Sequence, residues 1–264
     1  GYGQATLGSY DDREFEGAVN VPIVPEPLMI RFAGQTQQRD GFTEDVVHHK
    51  DLDNRDFYAG RIGVMLQPSD AFDNYFVYSS FFSDNNGTGE KLTAVDPNGL
   101  TALAFGQAAF QALAEEQALG PRATALDTPE ISKEYTFRFV DIAQWYATDA
   151  LTVRNIAAYT ESKYLFRWDL DGSTLPLIAS TDPYNWNADI GAYSEELQLQ
   201  GHSADNNLVW TAGAFLQFVH PIGYSYSQRI FFDLPENTLI NNPLTLSGGS
   251  TTREQAVYAQ GSYD

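Results

Sequence analysis

The sequence predicts an all-β chain, an antiparallel up-and-down meander suited to a transmembrane β-barrel segment, and three observations carry that reading. Apolar and polar residues alternate with period two, the connections alternate between short and long, and much of the negative charge falls in the long ones.

The alternation is clearest in the second and third strands. Phe15, Val19, Val21 and Ile23 fall on one parity and Glu14, Glu16 and Asn20 on the other, as a strand requires when its two faces meet unlike surroundings. Beyond "VPEP", Leu28, Ile30 and Phe32 share one face while Arg31, Gln35, Gln37 and Arg39 share the opposite one. A half-buried soluble sheet fits this pattern, and so does a barrel with lipid outside and a wet lumen inside.

Along the chain, candidate strands fall at residues 2–9, 13–23, 28–39, 55–67, 74–83, 133–146, 151–167, 191–201, 208–219 and 253–264. Links after the even-numbered strands are short and rich in Pro, Asp, Asn or Ser, as in "VPEP", "PSDAFD", "ATDA" and "HSADNN". Links after strands three, five, seven and nine are long, running over 40–54, 84–132, 168–190 and 220–252. A soluble sandwich has no reason to gather its long loops at one end, whereas an outer-membrane barrel has short periplasmic turns and long external loops. The first link, "YDDR", is the exception, since its place in the order is external and it is short.

Charge follows the same division. The four long loops hold 18 of 35 acids and 4 of 15 bases, so the strands are nearer neutrality than the net −20 implies. Aromatic residues crowd strand ends in "KYLFRW" and "DNYFVYSSFF", matching either interfacial girdles or core packing. The acidity removes a nucleic-acid partner, because no basic stripe exists to displace counterions from phosphates. There is no cysteine, and no apolar run approaches the roughly 18 residues of a membrane-spanning helix. Barrel strands need no such run, with only about 10 residues each in hydrocarbon.

The run "GYGQATLGSYDDREFEGAVNVPI" through "LMIRFAGQTQQRDGF", followed by "DLDNRDFYAGRIGVMLQPSD", resembles the start of the barrel in TonB-dependent outer-membrane receptors. Later stretches, "LTVRNIAAY", "YSEELQLQG", "LVWTAGAFLQ" and "QAVYAQGSYD", resemble successive strands of it. The resemblance implies a bacterial outer-membrane location and a barrel of about 22 strands filled by a plug. Residues 1–264 are then expected to be a partial barrel domain, with the plug before Gly1, its TonB box and the C-terminal strands lying outside it. It further implies uptake of a scarce ligand, a ferric siderophore or similar iron complex first, with cobalamin and oligosaccharide as other cargoes. TonB and outer-membrane lipid are the implied partners, and no cofactor is implied.

Ligand contact is expected on the polar parity of the strands, at Arg31, Gln35, Gln37, Arg39, Arg55, Arg61, Arg138 and Arg154. Plug groups or wall carboxylates are expected to pair with most of these arginines. Phe15, Val19, Val21, Leu28, Ile30 and Phe32 are expected to face lipid.

Other signals read more plainly. "DLDGS" at 169–173 begins like a calcium loop but lacks the later bidentate Glu at the required distance, which leaves an acidic turn. Adjacent His48 and His49 diverge, as expected of a solvated loop pair. "TALAFGQAAFQALAEEQAL", 101–119, reads as one helix packed on neighbouring loops, and a place over the outer vestibule is the functional alternative. No nucleophile elbow, metalloprotease motif or phosphate loop occurs, so no enzyme is predicted. Glu195 and Glu196 are strand neighbours that point to opposite faces and cannot act as a carboxylate pair. Two alternatives stay open: a complete ten-stranded outer-membrane barrel, and a soluble carbohydrate-binding or hydrolysing β protein.

Overall fold

The computed structural model describes residues 1–23, 28–176, 179–180, 188–222, 228–232 and 244–263. In chain order the first elements are β1 (Tyr2–Leu7), β2 (Arg13–Pro22), β3 (Leu28–Arg39), β4 (Thr43–Asp45), β5 (Lys50–Leu52), β6 (Arg55–Ser69) and β7 (Phe72–Asn85). Next come α1 (Leu100–Phe105), α2 (Gln107–Ala118), β8 (Ala123–Thr124), β9 (Ile131–Thr148) and β10 (Leu151–Asp169). The last are β11 (Ala179–Ser180), β12 (Ala188–His202), β13 (Leu208–Pro221), β14 (Gln228–Phe232), β15 (Leu244–Gly248) and β16 (Thr252–Tyr263).

All ten expected strands are present as one meander in the order β1-β2-β3-β6-β7-β9-β10-β12-β13-β16, every neighbouring pair antiparallel. Consecutive antiparallel pairing places the four long links and the short first link at one end and the remaining short links at the other. β6, β7, β9, β10, β12 and β13 overrun their expected limits because the pairing continues past the apolar stretch, whereas β1 and β2 fall short of theirs. β9 and β10 have 18 and 19 residues, nearly twice the roughly 10 that hydrocarbon accommodates, so their upper halves stand outside it.

Register assigns the faces. Val19 lies opposite Phe32, and Phe32 opposite Ile62; Ile62 continues to Tyr78 and Tyr78 to Phe139. Partners in a ladder share a face, so one apolar surface runs across five strands. Phe15, Val19, Val21, Phe32, Ile62, Trp145, Leu197 and Val257 are all exposed on it. Leu28 and Ile30 share the parity, as expected. The meander is a single layer, and fully buried apolar residues such as Leu52, Leu126 and Ala109 sit in the long loops instead. A soluble sheet of this kind would need a core packed against one of its faces. β1 and β16 lie at opposite ends of the order and, among the described residues, are not paired with each other.

The long loops build a cap at the outer end. β5, β4 and β8 form a small sheet, which sequence patterning missed because its strands are two or three residues long. The expected single helix is two, broken at Gly106, whose φ of +55° is a left-handed conformation. Ala109 and Ala112 of α2 pack on Leu175, with Leu92, Val95 and Phe105 around them. The helix therefore packs on loops, as expected. The short first link is explained by its anchoring: Tyr10 and Asp11 take φ of 62° and 54°, reversing the chain tightly. The Tyr10 carbonyl accepts from Asp40 N–H at 2.8 Å and its hydroxyl from Arg122 Nη1 at 2.5 Å.

Candidate functional site: the lumenal wall

Opposite the apolar surface, the same ladders align polar side chains. Asn20 faces Arg31 across β2 and β3, and Arg31 Nη1 donates to Asn20 Oδ1 at 2.8 Å. Gln35 Nε2 donates to Glu14 Oε1 at 2.8 Å, and Gln37 Nε2 to Asp12 Oδ1 at 2.9 Å. Farther along the wall, Arg61 lies opposite Ser79, Ser79 opposite Arg138, and Arg138 opposite Thr160. Arg138 Nε donates to Thr160 Oγ1 at 3.2 Å. Arg154 lies opposite Gln144 and Gln198 on the same face.

Register places Arg31, Gln35, Gln37, Arg39, Arg55, Arg61, Arg138 and Arg154 on one face of the sheet. Arg61 and Arg138 line one recess with Glu16, Gln35, Ala33, Ala59 and Ser79, where small side chains leave the guanidinium groups accessible. Arg39 and Arg55 oppose each other near the outer end and line a second recess with Asp11, Lys50 and Asp51. Arg39 Nη2 donates to the Asp53 carbonyl at 2.5 Å, and its guanidinium lies 5.3 Å from the Phe42 ring centroid. The buried Nε atoms of Arg39 and Arg154 have no hydrogen-bond partner.

None of these arginines forms an ion pair with a wall carboxylate among the described residues. Among the described residues, the only arginine in an ion pair is Arg13, with Asp11. The reason is in the register: Ser, Thr, Gln and Asn, not acids, stand opposite Arg31, Arg61, Arg138 and Arg154. The wall therefore presents guanidinium donors whose charge no neighbouring carboxylate neutralises within 4 Å.

Sequence reasoning missed Glu196, which accepts from the Tyr258 hydroxyl, and the Gln198 and Gln200 ladder beside it. The alternation of "EELQLQ" carried that signal. Glu195 points outward, on the face opposite Glu196 as expected of strand neighbours, and accepts from Asn155 Nδ2 at 2.6 Å and from the Tyr193 hydroxyl. The outward face is thus not uniformly apolar, because Asp141 also lies on it and accepts from Asn74 Nδ2 at 2.9 Å.

In the cap, His48 is half-buried and not a free loop side chain: its Nδ1 sits 2.6 Å from Oδ2 of the fully buried Asp45. His49 diverges and is exposed. "DLDGS" is an acidic turn, but its first residue is a buried hub. Asp169 Oδ1 accepts from Asp171 N–H at 3.2 Å and from Gly172 N–H at 3.1 Å. Among the described residues, no group of three or more His, Cys, Asp or Glu is arranged to hold a metal ion.

No family model matches the sequence. Several solved structures match the fold. The ferric-catecholate import receptor Fiu of E. coli K12, in its open form, aligns over 98% of this chain and 41% of its own at a TM-score of 0.59 and 14% identity. The siderophore receptor PiuA of Acinetobacter baumannii aligns over 98% and 39% at 0.57 and 10%. FpvA of P. aeruginosa, bound to a heterologous pyoverdine and iron, aligns over 99% and 34% at 0.59 and 11%. The chain spans about two fifths or less of the length of these structures. Its fold is that of an antiparallel segment of an outer-membrane receptor barrel.

Proposed function

We propose that this chain is part of a TonB-dependent outer-membrane receptor that captures a scarce ligand outside the cell and passes it inward through the barrel. A ferric siderophore or similar iron complex is the favoured cargo. The observation that carries this reading is the coincidence of two features: nearly the whole chain follows the fold of siderophore receptor barrels, and its inward face carries arginines that form no ion pair within 4 Å among the described residues.

Guanidinium groups suit such cargo. Their forked donors match the paired oxygens of carboxylates, and they stack on aromatic rings as well as pair with charge. Lys would supply only a point charge. No covalent step is needed, since capture and release are binding events. Energy would enter through TonB acting on a plug in another part of the same protein, and residues 1–264 would serve as the ligand-facing wall.

The test is uptake of radiolabelled ferric catecholate, hydroxamate and carboxylate complexes by iron-starved cells carrying the full-length gene, with and without active TonB. Saturable, TonB-dependent uptake of one complex is expected. Uptake that is unsaturable, or indifferent to TonB, would contradict the reading.

A further inference from the structure

The inward wall carries aromatic rings as well as guanidinium groups, and the two meet at its outer end. There the register sets Phe57 opposite Ser83, Ser83 opposite Glu134 and Glu134 opposite Tyr164, all on the face of Arg61 and Arg138. Phe81 and Phe166 share that face, one step below Ser83 on β7 and one step above Tyr164 on β10. Phe57 and Phe81 lie 5.6 Å apart between ring centroids, at 33°. Phe166 packs on Trp168 at 4.7 Å.

Two pairs of rings thus stand on either side of the short side chains Ser83, Asn85 and Ser132, around a recess of about 360 Å³. That is room for a small-molecule group. Tyr164 is 36% exposed, and Phe57, Phe81 and Phe166 are half-buried. A water-filled lumen calls for polar side chains, so these rings leave apolar surface for an occupant to cover.

Charge says which occupant fits. Arg55 is exposed at the rim, two residues above Phe57 on β6, and forms no ion pair among the described residues. Phe81 also lines the recess of Arg61 and Arg138, so the rings lie between two guanidinium stations. Lys133 Nζ is held by Asp84 at 2.7 Å. Glu134, the one carboxylate lining the recess, stands beside Tyr164 and accepts from Thr136 Oγ1 at 3.5 Å. It repels a free carboxylate, whereas the C–H edge of an aromatic ring is positive and tolerates it.

We propose that this recess takes an aryl group of the ligand: the cargo is an anionic aromatic chelate, phenolate or catecholate in kind. Its ring stacks on Phe57 and Phe81, and its charge is shared between Arg55 above and Arg61 and Arg138 below. Aromatic pairs gain from offset or edge-on contact beyond the area they bury, and ionised oxygens match the guanidinium fork. An aliphatic chelate covers the rings without that gain. The inference rests on the receptor reading and narrows its cargo.

Calorimetric titration of the full-length protein in detergent with two anionic iron complexes, ferric dihydroxybenzoate and ferric citrate, tests this. The aryl complex is expected to bind at least about tenfold more tightly than the citrate. Phe57→Leu with Phe81→Leu keeps the apolar bulk and removes the rings. It is expected to weaken the aryl complex at least about tenfold and to move the citrate by less than about twofold; Phe81→Leu alone gives the same test should the pair not fold. Arg55→Gln is expected to weaken both complexes. Citrate bound as tightly as the aryl complex, or leucine variants that leave the aryl affinity unchanged, would overturn the proposal. So would variants that lower both affinities equally, since the rings would then serve packing within the protein. Binding of citrate alone overturns this inference and leaves the receptor reading standing. Binding of neither complex also overturns it, and overturns the receptor reading only when uptake of every complex is unsaturable or indifferent to TonB.

Discussion

Arg61 and Arg138 stand in one cross-strand row on the lumenal wall, joined through Ser79, and neither meets a carboxylate within 4 Å. Two strand spacings separate them by about 10 Å, close enough for one anionic ligand to touch both.

Replacing both by alanine is expected to weaken binding of an anionic iron complex by about a hundredfold or more, two charge-assisted contacts being lost at about 1.5 kcal/mol or more each. Barrel stability should stay within about 0.5 kcal/mol, because no partner in the wall is orphaned. Calorimetric titration of the purified protein, alongside its unfolding curve, measures both. Unchanged affinity would remove these residues from the site.

The two faces should tolerate charge differently. Phe32→Arg and Ile62→Arg place a guanidinium on the outward surface and are expected to cost about 2–4 kcal/mol near mid-membrane. Gln35→Arg, on the opposite parity of β3, should cost less than about 1 kcal/mol. Reversible unfolding from lipid vesicles gives the comparison.

A backbone constraint holds the cap turn. Gly172 has φ of +64°, and a Cβ there would lie 2.7 Å from Lys91 N and 2.9 Å from Leu92 N. Gly172→Ala is expected to cost about 1–3 kcal/mol locally, read as lost amide protection at Leu92 with the barrel strands unaffected.

How far the sequence revealed this structure depends on what each element buries. β2 and β3 were readable to within a residue or two, since every second side chain meets a different medium. Arg31, Gln35, Arg61 and Arg138 could be placed on the lumenal face for that reason alone. The cap was not readable. β4, β5 and β8 are too short for any period, and Gly106 splits a helix whose composition is uniform across the break. The burial of Glu130 and Asp169 was not readable, because it comes from segments about 40 residues apart folding onto one another. The wall arginines lack carboxylate partners for a similar reason, which only the cross-strand register discloses.

The chain contains no cysteine, so single cysteines report without background. Val19→Cys, Phe32→Cys and Ile62→Cys on one face, and Gln35→Cys, Ser79→Cys and Thr160→Cys on the other, placed in the full-length protein in native outer membranes, test the barrel wall most directly. A membrane-impermeant thiol reagent applied to opened membranes should label the second set at least about tenfold faster, since hydrocarbon excludes it from the first. Equal labelling of the two sets, or faster labelling of the first, would contradict an outward lipid surface and an inward wet wall.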